Sequence, residues 1–215
     1  MCSLQRLNYV IIHLYIMPSK EQYFSPAESL KLIQSMIDKT KNSISDKSHY
    51  FLLWGWAIFI GCVLQYWLKV IVNWPQHYYA WLITPVALVV HFYFTLRDKR
   101  KEKVQTYIGE AFRYLWISIG SSFMVLAFIF SHIGWQYCYP FYILFYAIGT
   151  YVSGSLIKFK PLKYGGLVCF PLAAVAELLS SDDQILILAL AVMLSYIIPG
   201  YLLRQQYKKQ LKHNG

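Results

Sequence analysis

Five ionisable residues interrupt the long apolar runs of this chain: Lys69, His91, Glu110, Arg113 and Glu177. An ionisable group at membrane depth is costly enough to mark a place where chemistry could reside. Glu110 and Arg113 stand three apart, the spacing of a local ion pair on one helix face. His91 stands alone, which suits a hydrogen bond to a neighbour better than a metal ion. Glu177 is followed closely by Asp182 and Asp183, a set that reads as an exposed acidic turn or as an attractor for a cation. Nucleophile templates fail: "YVSGS" at 151–155 lacks the glycine needed two residues before Ser153, and no partner histidine lies at matching depth. There is no HExxH, no paired-aspartate motif and no phosphate-cradling glycine loop. The cysteines form no CxxC and no Cys/His cluster. No catalytic residue, metal or cofactor is therefore expected.

A second set of residues comes from a weak internal similarity. "PVALVVH" at 85–91 aligns with "PLAAVAE" at 171–177, pairing Pro85 with Pro171, Ala87 with Ala173, Val89 with Val175 and His91 with Glu177. If the chain divides into two halves of three spans, the halves enter the membrane from opposite sides, as in inverted-repeat transporters. Each proline deletes a backbone hydrogen bond and exposes a carbonyl that could face a cavity. His91 and Glu177 would each lie about 9 Å from their prolines in opposite directions, so they could line two entrances but could not form an acid–base pair. Pro85, His91, Pro171 and Glu177 are the candidate transport path.

The elements that carry these residues follow from composition. The chain has 215 residues, 57% hydrophobic and 14% charged, with mean hydropathy +0.39, too apolar for a soluble domain to cover with polar surface. The net charge of +10 falls in short blocks between apolar runs, which favours a membrane surface over nucleic acid. A bilayer core of about 30 Å needs roughly 20 apolar residues per helix. That requirement predicts six spans, at 50–72, 78–96, 110–131, 138–157, 164–180 and 184–204. Lysine and arginine fill the segments before the first span, between the second and third, between the fourth and fifth, and after the last; "NWPQHYY", "SHIGWQYC" and "SSDDQ" have none. Retention of basic loops on the cytoplasmic side puts both termini inside, with Lys69 as the outward exception, its stem snorkelling to the interface.

Residues 1–24 read as an apolar lead or a misassigned start plus linker, since "LNYVIIHLYI" is too short to span and Met17 precedes polar sequence. Residues 25–46 predict a cytoplasmic amphipathic helix. Ser25 is a candidate cap, Pro26 stands at the first helical position and Glu28 closes a capping box. Leu30, Ile33, Ile37, Thr40 and Ile44 then recur in steps of three and four, a seam like that of a coiled coil. The helix carries balanced charge, unlike a typical anionic-lipid anchor. It either lies along the bundle or the bilayer, or docks a cytoplasmic partner or a second copy through Leu30, Ile33, Ile37 and Ile44. The bundle occupies 50–204 and a basic cytoplasmic tail 205–215.

"SPAESLKLIQSMIDKTKNSISDKSHYFLLWGWAIFIGCVLQYW" at 25–67 resembles the opening of an uncharacterised family of small multi-pass inner-membrane proteins of Bacteroidetes-type bacteria. That resemblance implies a bacterial inner membrane and carries over no catalytic residue. The fold expected is all-α and integral to the membrane. The function expected is a non-enzymatic interaction or regulatory module whose partners are the bilayer and a protein, not nucleic acid. The alternative is a small secondary transporter with a 3+3 inverted repeat.

Overall fold

The computed structural model describes residues 25–35, 48–99 and 107–213, and every regular element among them is helical. Ile37, Thr40 and Ile44 of the expected seam lie outside the described residues.

The first helix, α1, covers 26–35, and its start is the capping box read from the sequence. The Glu28 backbone N–H donates to Ser25 Oγ at 3.2 Å, and the Ser25 N–H donates back to Glu28 Oε2 at 2.8 Å. Two of the helix's orphan donors are satisfied reciprocally. The Ser25 backbone bond and its hydroxyl hold the Glu28 carboxyl below the usual carboxylate range. Leu30 and Ile33 keep 68% and 54% of their surface exposed, so the described part of the seam presents an open apolar stripe.

The remaining helices form a separate unit. They are α2 (Ser48–Tyr66, continued by a wide turn Trp67–Ile71), α3 (Ile83–Lys99, entered through a tight turn His77–Leu82), α4 (Tyr107–Ile133), α5 (Cys138–Leu156), α6 (Lys160–Glu177), α7 (Ser181–Val192) and α8 (Ile198–His213, joined to α7 through a wide turn Met193–Ile197). Among the described residues, four stretches are long and apolar enough to cross a membrane: Ser48–Ile71, His77–Asp98, Tyr107–Ile133 and Ser181–Gln206. They carry the expected first, second, third and sixth spans. The stretches expected as fourth and fifth spans are helical, as α5 and α6, but fall short of that apolarity. Tyr139, Tyr142, Tyr146 and Tyr151 dilute α5, while Lys160, Lys163 and Glu177 bound a shorter α6.

Helix α2 runs antiparallel to α3 and to α8, as their contacts show. On α2 and α3, Tyr50 meets Asp98 and Trp54 meets His91, while Gln65 meets Trp81 at the other end. Between α2 and α8, a Cβ at Gly55 would lie 3.0 Å from Ile197, and one at Gly200 would lie 3.0 Å from Leu52. Phe51, Trp116, Tyr146 and Tyr196, drawn from α2, α4, α5 and the wide turn, stack edge to face in the core, with Tyr146 and Tyr196 5.2 Å apart between ring centroids.

The closest approach joins α5 to α6. A Cβ at Gly154 would strike the Lys163 backbone, and one at Gly166 would come within 2.8 Å of Tyr151 Cα. Glycine at both positions lets two backbones touch, the device that associates helices where lipid removes the hydrophobic drive. The connection is short because α5 ends in a Schellman motif: the Phe159 N–H donates to Gly154 O at 2.9 Å and the Lys158 N–H to Ser155 O at 3.3 Å. Lys158 occupies the left-handed position at φ 51°, where its charge complements the helix's carbonyl end. The small pair Gly149 and Ser153 acts differently. Gly149 packs beneath Ile119 and Trp116 of α4, and Ser153 is buried.

Two spans lie at the periphery. Only 11% of the apolar window of His77–Asp98 and of Tyr107–Ile133 is buried, against 44% for Ser48–Ile71 and 56% for Ser181–Gln206. The core therefore consists of α2, α5, α6, α7 and α8, with α3 and α4 leaning on it.

Candidate functional site: a polar knot at one end of the bundle

Three reversals bring helix ends together. After α2, Asn73 turns the chain with φ 55°, a left-handed conformation that asparagine tolerates better than most residues. After α4, Gly134 does so at φ 114°, a region that admits little but glycine. After α6, Ser180 caps α7: its Oγ accepts from the Asp183 N–H at 3.3 Å, and Asp182 and Asp183 occupy the first turn, where acids complement the helix N-terminus.

Gln65, 5% exposed, is the hub of the resulting cluster. Its Oε1 accepts from Trp81 Nε1 at 2.8 Å and from the Tyr139 hydroxyl at 3.3 Å, and its Nε2 lies 3.5 Å from His77 Nδ1. One helical turn further along, Lys69 pairs with Asp182. The knot thus ties α2, the entry to α3, the start of α5 and the start of α7. The head group of Lys69, whose stem was expected to snorkel to an interface, pairs with the carboxylate of Asp182. Gln184, 6% exposed, donates to Leu179 O at 3.1 Å, while its Oε1 has no hydrogen-bond partner among the described residues.

A second cluster occupies the opposite end, between α2 and α3. The Tyr50 hydroxyl donates to Asp98 Oδ2 at 3.0 Å, and His49 Nε2 lies 3.4 Å from the same oxygen. Below them Trp54 Nε1 donates to His91 Nδ1 at 3.2 Å. Indole is a donor only, so Nδ1 is the unprotonated nitrogen of that ring. His91 therefore bonds a neighbour, as its isolation in the sequence suggested. Glu110 and Arg113 form the expected pair at 3.4 Å.

The other members of the candidate path are dispersed. Pro85 lies in the first turn of α3, where its missing N–H is of little consequence, whereas Pro171 is interior to α6. Pro85, Pro171 and Glu177 are all exposed and His91 is half-buried. Helix α3 packs on α2, while α6 packs on α5, α7 and the wide turn after it. The aligned alanines, Ala87 and Ala173, are both buried, and the aligned valines both exposed.

Sequence reasoning missed Gln65, the hub. Its signal was a single neutral amide in "CVLQYW", overlooked because attention went to ionisable groups. Chemically the knot is a set of paired donors and acceptors that holds helix ends, with Gln184 Oε1 left over among the described residues. Among the described residues, no three His, Cys, Asp or Glu side chains converge to hold a metal. Comparison with protein-family models, curated proteins and solved structures finds no match to this chain.

Proposed function

We propose that this chain is a non-enzymatic interaction or regulatory module of a bacterial inner membrane, crossing it six times with both termini cytoplasmic. The observation that carries the topology is the polar knot. Residues of α2, α3, α5 and α7 meet there, so the turns at 72–76, 134–137 and 178–180 share one end of the bundle. Those turns contain no lysine or arginine, whereas Arg97, Lys158, Lys160, Lys163 and Arg204 belong to the opposite end, as cytoplasmic retention of basic residues requires. The inner-membrane assignment rests on the family resemblance of residues 25–67. Single cysteines placed at positions 75, 135 and 180 of a cysteine-free variant should react with a membrane-impermeant maleimide added from outside. Positions 160 and 208 should react only after the membrane is opened. Protection of 135 or 180 in sealed cells would remove the six-crossing arrangement.

Two observations support an interaction role. Lys69 pairs with Asp182 and Arg113 with Glu110, at helix ends and not around a shared cavity, and α1 presents Leu30 and Ile33 exposed. Leu30→Glu with Ile33→Glu should strip a stoichiometric protein partner, or the second copy in a dimer, from the chain purified in mild detergent. The melting midpoint of the bundle should not change. If wild type and variant are equally bare monomers, the transporter reading through Pro85, His91, Pro171 and Glu177 becomes the better one. Transport measurements on Glu177→Gln should then follow.

A further inference from the structure

An open groove of about 410 Å³ runs along the outside of the bundle between α2 and α3, with Arg204 of α8 at its rim. Its walls are apolar: Leu53, Trp56 and Ile60 on one side, Val86 and Val90 on the other. Ile60, Trp56 and Val86 are exposed along it, so nothing within the described chain fills it.

Its polar groups lie at one end only. Gly55 faces Ile197 and Gly200 faces Leu52, so one further turn along the antiparallel pair brings Arg204 level with His49, and both border the groove. Arg204 forms no ion pair with any described residue, in contrast to Lys69 and Arg113. Lys208 follows it at helical spacing on α8, and Arg97 continues the Val86 and Val90 face of α3. Asp98, an acid at this end, is engaged by Tyr50 and His49, and Glu110 by Arg113. From His49 to Ile60 the groove extends along α2 for about 16 Å at 1.5 Å per residue. That is close to the hydrocarbon depth of one leaflet, about 15 Å.

We propose that this groove is a binding site for one anionic phospholipid, with an acyl chain lying against Trp56, Ile60 and Val86 and the phosphate against the Arg204 guanidinium. The match in length accounts for an acyl chain and the match in charge for an anionic headgroup. A neighbouring helix would need neither a cation at one end nor a length of one leaflet. The inference requires only that the helices lie in a bilayer and holds for either orientation of the chain.

The test is thermal stabilisation of the full-length protein in detergent titrated with phosphatidylglycerol, and separately with phosphatidylcholine of the same acyl chains. Phosphatidylglycerol should raise the melting midpoint at concentrations where phosphatidylcholine does not. Arg204→Gln should weaken its apparent affinity about fivefold, the effect of one basic residue at a membrane surface, and Arg204→Lys should restore most of it. Val86→Trp, which fills the groove from an exposed position, should abolish the selective shift while leaving the lipid-free midpoint in place. Equal shifts for the two lipids would overturn the proposal, as would an unchanged phosphatidylglycerol response in Arg204→Gln or Val86→Trp. So would the same shift from glycerol phosphate lacking acyl chains. Dimerisation that is lost in Val86→Trp and indifferent to lipid would show a second copy in the groove instead.

Discussion

Gly166→Val is expected to eliminate folded, monodisperse protein, with Gly154→Val close behind. At both positions the obstacle to a side chain is the backbone of the facing helix, Tyr151 for Gly166 and Lys163 for Gly154. A flexible side chain could rotate away, but a backbone in a three-residue hairpin cannot. Overpacking of an ordinary core costs about 1–3 kcal/mol, and a forced separation of α5 from α6 should exceed that, at roughly 4 kcal/mol or more. Size-exclusion profile and melting midpoint in mild detergent measure the effect. Gly120→Ala supplies the contrast, since a Cβ there meets nothing within 4 Å. Removing backbone freedom from the unfolded chain should leave Gly120→Ala unchanged or raise its stability by about 0.5–1 kcal/mol. Similar losses in Gly166→Val and Gly120→Ala would mean that the backbone contact does not matter.

Gln65→Leu should be the second most damaging change. It preserves apolar volume but removes the common acceptor of Trp81 and Tyr139, leaving two donors facing a carbon. Stranding a buried donor costs about 1–3 kcal/mol; with Tyr139 buried and Trp81 half-buried, the sum should be about 2–4 kcal/mol by the same reasoning. The cause is separable from loss of packing. In a double-mutant cycle, Tyr139→Phe removes one stranded hydroxyl, so adding it to Gln65→Leu should recover about 1 kcal/mol relative to additivity. Strict additivity in reversible unfolding would show that the Tyr139 bond contributes nothing to the knot.

The sequence carried a good deal of this architecture. Ser25, Pro26 and Glu28 announced a helix start because a capping box is local, written within four residues. Three of the spans and the last one were visible as apolar runs, a property that composition alone carries. The contacts across the bundle were harder to read. Lys69 and Asp182 are separated by most of the chain, and nothing local marks them as partners. Gly154 and Gly166 face each other across a hairpin, so their spacing has no helical period, whereas Gly149, which stands at an interval of four from Ser153, packs beneath Ile119 and Trp116. The aligned prolines looked alike in a seven-residue window, yet one begins a helix and the other interrupts one. That difference depends on where the preceding turn ends, which the window does not contain.

The placement of α2 has a consequence for the order in which the protein assembles as it is made. The α5–α6 hairpin closes through neighbours in sequence and can form as soon as its two helices are made, since short loops close quickly and at little entropic cost. Helix α2 is synthesised earlier, but the surface it seats against belongs to α7 and α8: Gly55 waits for Ile197, and Leu52 for Gly200. Throughout elongation its close-packing face is open to lipid and to any insertion factor that shields incomplete bundles. Membrane insertion of α2 and its burial are therefore separate events, divided by the time the ribosome takes to reach the final helix.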